Sequence, residues 1–310
     1  MGAVYRARHV GLDAARAIKL MRPELARDEA FIQRFENEAF LAEGVRHPNV
    51  VALYDFASLP DGTKYIVWEL VEGETVREGL ERGTVFTSSE VIRLVCQIGG
   101  GLAAVHKKGI LHRDVSPDNI MICAGGTTDR NAKLLDFGVA KAAGTPKSMA
   151  TTTGMVFGKI GYASPEQMGL LRGDESLDAR TDVFSLAAVT YAMLTGKPPF
   201  VTSSMRSFLH DLMIASEAEV RTRLVADLEE PWRKPLARAL ARNRQARPPS
   251  VEAFVEEIRK IADVPHRRTD ASALTRAAPA KTVRSVLLAA AAIFGAVFVV
   301  STLVPPGEFK

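Results

Sequence analysis

The sequence predicts an α+β fold of two lobes. A small antiparallel-sheet N-lobe with one helix takes residues 1–70, and a large, mainly helical C-lobe takes residues 71–262. A single C-terminal transmembrane helix follows at 285–304, between a linker at 263–284 and a short extracytoplasmic tail at 305–310. Three observations carry this reading. Short β-rich segments separated by turn residues fill the first 70 positions. From Thr87 onward the apolar residues recur at helical spacing. Near the end, an apolar run without a single charge stands apart from everything before it.

Residues 3–10 and 14–21 read as strands around the turn Gly11-Leu12-Asp13. A helix is expected over 28–44, because Phe31, Phe35, Glu38 and Ala42 recur at spacings of four, three and four and share one face. Pro48-Asn49 breaks the chain, and 50–56 and 64–70 follow as strands around Pro60-Asp61-Gly62. Ser88 or Ser89 is expected to cap a helix that runs to about Lys108, with Gly109 at its C-terminal end. Gly99-Gly100-Gly101 counts against that helix, at about 1 kcal/mol per glycine. The periodic Val91, Leu94, Val95, Ile98, Leu102 and Val105 favour it. Further helices are expected at 182–195 and 251–261. No internal repeat is present.

With 310 residues, 25% charged and 47% hydrophobic, the composition is that of an ordinary globular protein. A net charge of +4 is small for this length, and no compact basic run lies within the first 260 residues, so nucleic acid is not an expected partner. Cys96 and Cys123 read as small core residues rather than as a disulfide or metal pair. No signal peptide opens the chain, and Arg6 stands where a myristoylation motif needs Ser or Thr. Residues 286–304 are 19 positions without a charge. As a helix they would be about 28 Å long, close to the hydrocarbon thickness of a bilayer. Arg267, Arg268, Arg276, Lys281 and Arg284 precede the run and only Lys310 follows it. The positive-inside rule then places residues 1–284 in the cytoplasm of a single-pass inner-membrane protein.

The chemistry is concentrated in His112-Arg113-Asp114-Val115-Ser116-Pro117-Asp118-Asn119 and in Asp136-Phe137-Gly138. A hydroxyl nucleophile needs a carboxylate beside it to orient it and take its proton, which suits Asp114. Mg²⁺, or Mn²⁺, is a hard cation that wants oxygen ligands, which suits Asn119 and Asp136. With these motifs in this order, the chain resembles the eukaryotic-like (Hanks-type) protein kinases, most closely the bacterial Ser/Thr kinases.

That resemblance, over about residues 1–262, implies ATP and Mg²⁺ as cofactors. It implies that Lys19, in Ala17-Ile18-Lys19, faces the nucleotide phosphates and pairs with Glu38, and that Glu69 and Val71 in the hinge Trp68-Glu69-Leu70-Val71 hold adenine, with Trp68 closing the pocket behind it. Gly2 and Val4 match the end of the glycine-rich loop. His112 is implied to be structural. Arg113 is implied to grip a phosphorylated activation loop, with Thr151 and Thr153 as its phosphorylation sites. Glu166, in Ser164-Pro165-Glu166, is implied to pair with Arg247, and Asp182 to hold the catalytic-loop backbone.

Three positions depart from the family pattern. Ser116 replaces the lysine that steadies the transferring phosphate, and Lys159 replaces a threonine that contacts it. The two changes read as a reciprocal swap, in which Lys159 supplies the cation and Ser116 the hydroxyl. The third departure is the start: Met1 falls inside the glycine-rich loop, which reads either as a true start lying upstream or as an N-terminal truncation, and as written leaves the next strand as an exposed edge.

The expected function is therefore a Ser/Thr protein kinase that transfers the γ-phosphate of ATP to protein hydroxyls and phosphorylates its own activation loop in membrane-associated signalling. The alternative is a pseudokinase scaffold at the inner membrane face. Expected partners are protein substrates and the membrane, with a homodimer as a further candidate.

Overall fold

The computed structural model describes residues 2–26, 28–124, 131–136, 160–169, 177–200 and 204–262. All lie within the unit Met1–Val264, which separates from Pro265–Lys310.

The first lobe is built on a four-stranded antiparallel sheet. Strand β1 (Gly2–His9) pairs with β2 (Ala14–Met21), from Gly2 opposite Met21 to His9 opposite Ala14. β3 (Leu53–Ser58) pairs with β4 (Lys64–Glu69), which also pairs with β2, so the order is β1-β2-β4-β3. Alternation along β2 buries Lys19 and Met21 on the same face. Helix α1 (Glu29–Glu43) lies against that face. Asp28 caps it by accepting from the Ala30 N–H, and its buried residues are Phe35, Glu38, Ala39 and Ala42. The Phe35 and Phe56 rings meet at 6.5 Å, in a core that also holds Met21, Val50, Ile66 and Trp68.

The second lobe begins with β5 (Gly73–Thr75) and α2 (Val76–Glu81), the latter started by a Thr75–Glu78 capping box. Helix α3 (Ser88–His106) follows, and β6 (Ile120–Cys123) and β7 (Ala132–Leu134) complete a small sheet in the order β5-β6-β7. Helix α4 (Ala179–Thr195) buries every residue from Thr181 to Met193, so it has no polar face and forms the centre of the lobe. Around it stand α5 (Met205–Leu209), α6 (Glu217–Ala226), α7 (Glu230–Ala239) and α8 (Val251–Ala262). α8 buries Val251, Phe254, Val255, Ile258 and Ile261, one stripe of an amphipathic helix. The Trp232 indole N–H, on α7, donates to the Ser88 hydroxyl at 2.9 Å.

The glycines that argue against α3 in the sequence turn out to be contact points. A Cβ on Gly99 would lie 2.2 Å from Val255 Cγ2, and one on Gly101 would lie 2.9 Å from the Asn49 carbonyl. Their missing side chains let α8 and the 47–50 turn pack directly on the helix, and that packing offsets the intrinsic penalty.

Several expectations need correction. The cap of α3 is Thr87, in a reciprocal box with Glu90, not Ser88 or Ser89. The third strand starts at Leu53 rather than at residue 50. Helices α2, α5, α6 and α7 and the β5-β6-β7 sheet were not anticipated. Cys96 and Cys123 are free thiols but only partly buried. Among the described residues no helix is long and apolar enough to cross a membrane. The expected segment 285–304, with its linker and tail, lies outside the described residues. The membrane anchor, the membrane as partner, and the single-pass inner-membrane placement with its cytoplasmic orientation therefore have no structural support. The expected N-terminal truncation has no structural support either: β1 forms over all eight residues and pairs along its whole length with β2, standing at the edge of the sheet.

Candidate active site

A buried ammonium sits where the two lobes meet. Lys19 is 8% exposed. Its Nζ donates to Glu38 Oε1 at 2.5 Å and to Asp136 Oδ1 at 3.3 Å. A charge in such a place requires partners. Burial lowers the Lys19 pKa, but the charges of Asp136 and Glu38 outweigh it and raise the value above the ordinary one. Two carboxylates thus share one ammonium. Burial pushes Glu38 up to about 7, with Lys19 pulling it down and Asp136 pushing it further up.

The loop before Pro117 hangs from Asp182, in the first turn of α4 and fully buried. Its carboxylate accepts the backbone N–H groups of His112 and Arg113, each at 2.8 Å, and bonds His106 Nε2 at 2.7 Å. Burial alone would raise the Asp182 pKa, but the His106 hydrogen bond and the two histidines hold it below the ordinary carboxylate range. This grip fixes Arg113 in a left-handed conformation, with φ 62°. His112 Nδ1 accepts the Asp114 N–H at 3.3 Å and its Nε2 faces the Leu135 carbonyl at 3.1 Å. Burial lowers its pKa, and the two contacts have Nδ1 accept and Nε2 donate. Both nitrogens are engaged, so His112 is a strut rather than a base.

Asn119 Nδ2 donates at 2.8 Å to both the Asp114 carbonyl and Asp114 Oδ2, which orients that carboxylate. The Leu135 N–H donates to the Asn119 carbonyl at 2.8 Å and so brings Asp136 beside the loop. Asp136 adopts φ 34°, and its side chain is 53% exposed. The Asn119 Oδ1 and the second oxygen of Asp136 remain to meet a hard cation. No cluster of three or more His, Cys, Asp or Glu side chains among the described residues could hold a metal. Ser116 is 1% exposed, and its hydroxyl has no hydrogen-bond partner among the described residues.

Behind the loop, Arg247 grips Glu166 through two nitrogens, at 2.6 and 3.0 Å, both side chains being buried. Burial would raise the Glu166 pKa, but the Arg247 hydrogen bonds and charge hold it low. The Thr181 hydroxyl donates to the same carboxylate at 3.0 Å.

On the hinge side, Glu69 accepts from Lys133 Nζ at 2.9 Å and from the Ala52 N–H at 3.2 Å. Val71 packs at the edge of the first-lobe core, and Trp68 is buried in that core with its indole N–H without a partner among the described residues. Gly2 and Val4 lie on β1, Val4 opposite Lys19.

The structure thus brings together Lys19, Glu38, Asp114, Asn119 and Asp136, as the sequence predicts, and joins His112, Arg113 and Asp182, and separately Glu166 and Arg247. Lys159, Thr151 and Thr153, with Phe137 and Gly138, lie outside the described residues. Three contributors escaped the sequence reading. They are His106 on Asp182, Gln167, whose Nε2 donates to the Arg113 carbonyl at 2.7 Å, and Arg77, which pairs with Asp118 at 3.2 Å and lies over the Tyr162 ring. Gln167 adjoins the motif Ser164-Pro165-Glu166, the one local signal that pointed to it.

Comparison with known proteins agrees with this arrangement. The sequence profile of the family described as "Protein kinase domain" matches residues 1–260. The serine/threonine-protein kinase pkn3 of Myxococcus xanthus is 33% identical over 295 residues, which is 92% of this chain and 53% of that protein. The serine/threonine-protein kinase PknB of Mycobacterium tuberculosis is 42% identical over 207 residues, 66% of this chain and 32% of that protein. The chain therefore spans about half or less of the curated relatives it matches. The crystal structure of the Mycobacterium tuberculosis PknI kinase domain superposes with a TM-score of 0.61 at 25% identity, covering 84% of this chain and 91% of that one.

Proposed function

The chain belongs to the protein kinase domain family, and from that membership we propose that it is a Ser/Thr protein kinase, transferring the γ-phosphate of ATP to protein hydroxyls. The family uses ATP and Mg²⁺. What carries the reading for this chain is one juxtaposition: the Lys19–Glu38–Asp136 cluster faces the Asp114–Asn119 pair across the lobe junction. The kinase domain spans residues 1–262, with lobes 1–70 and 71–262.

In this reading Asp114, aimed by Asn119, orients the substrate hydroxyl and accepts its proton. Lys19, fixed by Glu38, holds the α- and β-phosphates, and Glu69 and Val71 offer backbone groups to adenine. Asn119 and Asp136 hold Mg²⁺, which when bound neutralises charge developing on the phosphates. Ser116 offers an unused hydroxyl close to Asp114, and Lys159 supplies the cation that Ser116 lacks. Gly2 and Val4 border the phosphates. Thr151 and Thr153 are the phosphorylation sites that Arg113 reads.

The test is transfer of radiolabelled phosphate from ATP by the full chain, with Mg²⁺ or Mn²⁺ and Asp114→Asn as the blank. Labelling of the wild type alone supports the proposal. A folded chain that binds nucleotide but labels nothing refutes it in favour of a pseudokinase scaffold.

A further inference from the structure

A second feature of the C-lobe takes no part in the chemistry above. Between α6 and α7 lies a cleft of about 640 Å³, and no residue assigned to the active site lines it. Its floor is apolar: the partly exposed Val220, Ala237 and Ala241 lie over Phe200, Leu212, Leu224 and Leu240, which are at least 95% buried. Its walls are cationic: Arg221 from α6, Lys234 and Arg238 from α7, and Arg242 just beyond α7.

The acids around the cleft do not balance these cations. Asp211 is bound through both oxygens by Arg223, at 3.0 and 2.9 Å, so its charge is already met. Glu217 is the other acidic lining residue. Arg238 pairs with Glu257, and Arg242 donates to the Ala215 carbonyl at 2.6 Å. Arg221 and Lys234 make no ion pair or hydrogen bond among the described residues. Two uncommitted cations therefore stand on opposite walls over an apolar floor. Cations that converge on a cleft with low-dielectric walls focus the field into it and favour an anion. The apolar floor adds a demand that a free inorganic anion cannot meet, because it gains by burying hydrocarbon.

We propose that this cleft is a docking site for a protein partner presenting an acidic peptide segment, in which an apolar side chain seats on the floor while flanking carboxylates meet Arg221 and Lys234. The volume lies in the range of built ligand sites, about 300–1,000 Å³. Both cations are exposed at the rim, so they set the rate and salt dependence of encounter, and the floor sets the residence. The inference is independent of catalysis: a chain without transferase activity would still present the cleft.

The experiment measures fluorescence polarisation of a labelled peptide of repeating Leu-Glu-Glu with the full chain, at low and at raised salt. Probes are a Leu-Lys-Lys peptide of equal length, a labelled single-stranded oligonucleotide and inorganic phosphate as competitor. The variant is Arg221→Glu with Lys234→Glu. Its two positions are surface side chains, so far-ultraviolet circular dichroism should match the wild type. The expected result is binding of the acidic peptide alone, weakened by salt, and weakened about tenfold or more in the double variant. Val220→Asp, which charges the floor at a partly exposed position, should abolish binding with the rim unchanged and the circular dichroism like the wild type. Equal affinity in wild type and the rim variant, or equal binding of the lysine peptide, overturns the proposal. Preference for the oligonucleotide through the same two residues overturns it in favour of a nucleic-acid surface, and full displacement by phosphate overturns it in favour of a simple anion site.

Discussion

Arg247→Met should be among the most destabilising single substitutions in the C-lobe. Arg247 is 1% exposed and lies over the Phe184 ring at 4.8 Å. Its guanidinium meets both Glu166 oxygens, and it also donates to the carbonyls of Ala241 at 2.8 Å and of Arg180 and Arg242 at 3.2 Å. Methionine fills much of the volume but donates nothing. Removing one member of a buried pair leaves the other charged and unpaired, a loss of about 3–5 kcal/mol. The stranded carbonyls bring the expectation to the upper part of that range. Urea unfolding, followed by the fluorescence of Trp232 in the same lobe, measures it. The sign of the pH dependence follows from Glu166. Its folded-state pKa is depressed, so its contribution is present above the ordinary value of 4.5 and fades as pH falls through the lowered one. In the variant, burial without Arg247 pushes that carboxyl up, so near pH 4.5 it is neutral and the penalty shrinks. The gap between wild type and variant should therefore be widest at neutral pH and narrow on acidification. Restoring neutrality with Glu166→Gln should recover about 2 kcal/mol at neutral pH. A loss below about 1 kcal/mol at neutral pH, or a gap that pH does not change, would refute the reasoning.

Two further outcomes are expected. Glu38, raised from 4.5 to about 7, binds its proton more tightly in the folded protein than in the unfolded chain, so its contribution to stability falls as pH rises between those values, while its ion pair with Lys19 forms. Phosphate transfer should accordingly climb through about pH 7, and Glu38→Gln should be slow and lack that limb; a wild-type profile flat across the interval contradicts the assignment. Lys159→Met should abolish transfer while leaving the thermal unfolding midpoint within a few degrees of wild type; retained full activity removes the proposed swap with Ser116.

Much of the site was legible because its chemistry lies in contiguous motifs. Asp114 and Asn119 share one loop, so their spacing along the chain already brought them within reach of each other. Lys19 was legible only through the family resemblance, whereas Glu38 also lay on the one-face stripe that the period of α1 predicts. His106 and Gln167 were not. His106 belongs to a helix whose last turn reads as ordinary, and its partner Asp182 is 76 residues away. Gln167 matters only because its amide reaches a carbonyl 54 residues earlier. The α3 glycines show the same limit from the other side. Local propensity argued against the helix, and only the approach of Val255 and Asn49 explains why glycine stands there.

By itself, the sequence determined the two-lobed α+β class, the order of the main strands and helices and, through the family resemblance of its short motifs, the residues that meet at the lobe junction. Each rests on hydrophobic period or on short-range spacing, which one chain carries within itself. Tertiary structure decided the Thr87 cap, the extra helices and small sheet, the struts on Asp182 and Arg113, and the cationic cleft between α6 and α7. Among the described residues it placed no helix long and apolar enough to cross a membrane. These depend on which distant surfaces come into contact, and no local pattern encodes a contact whose two halves are each unremarkable alone.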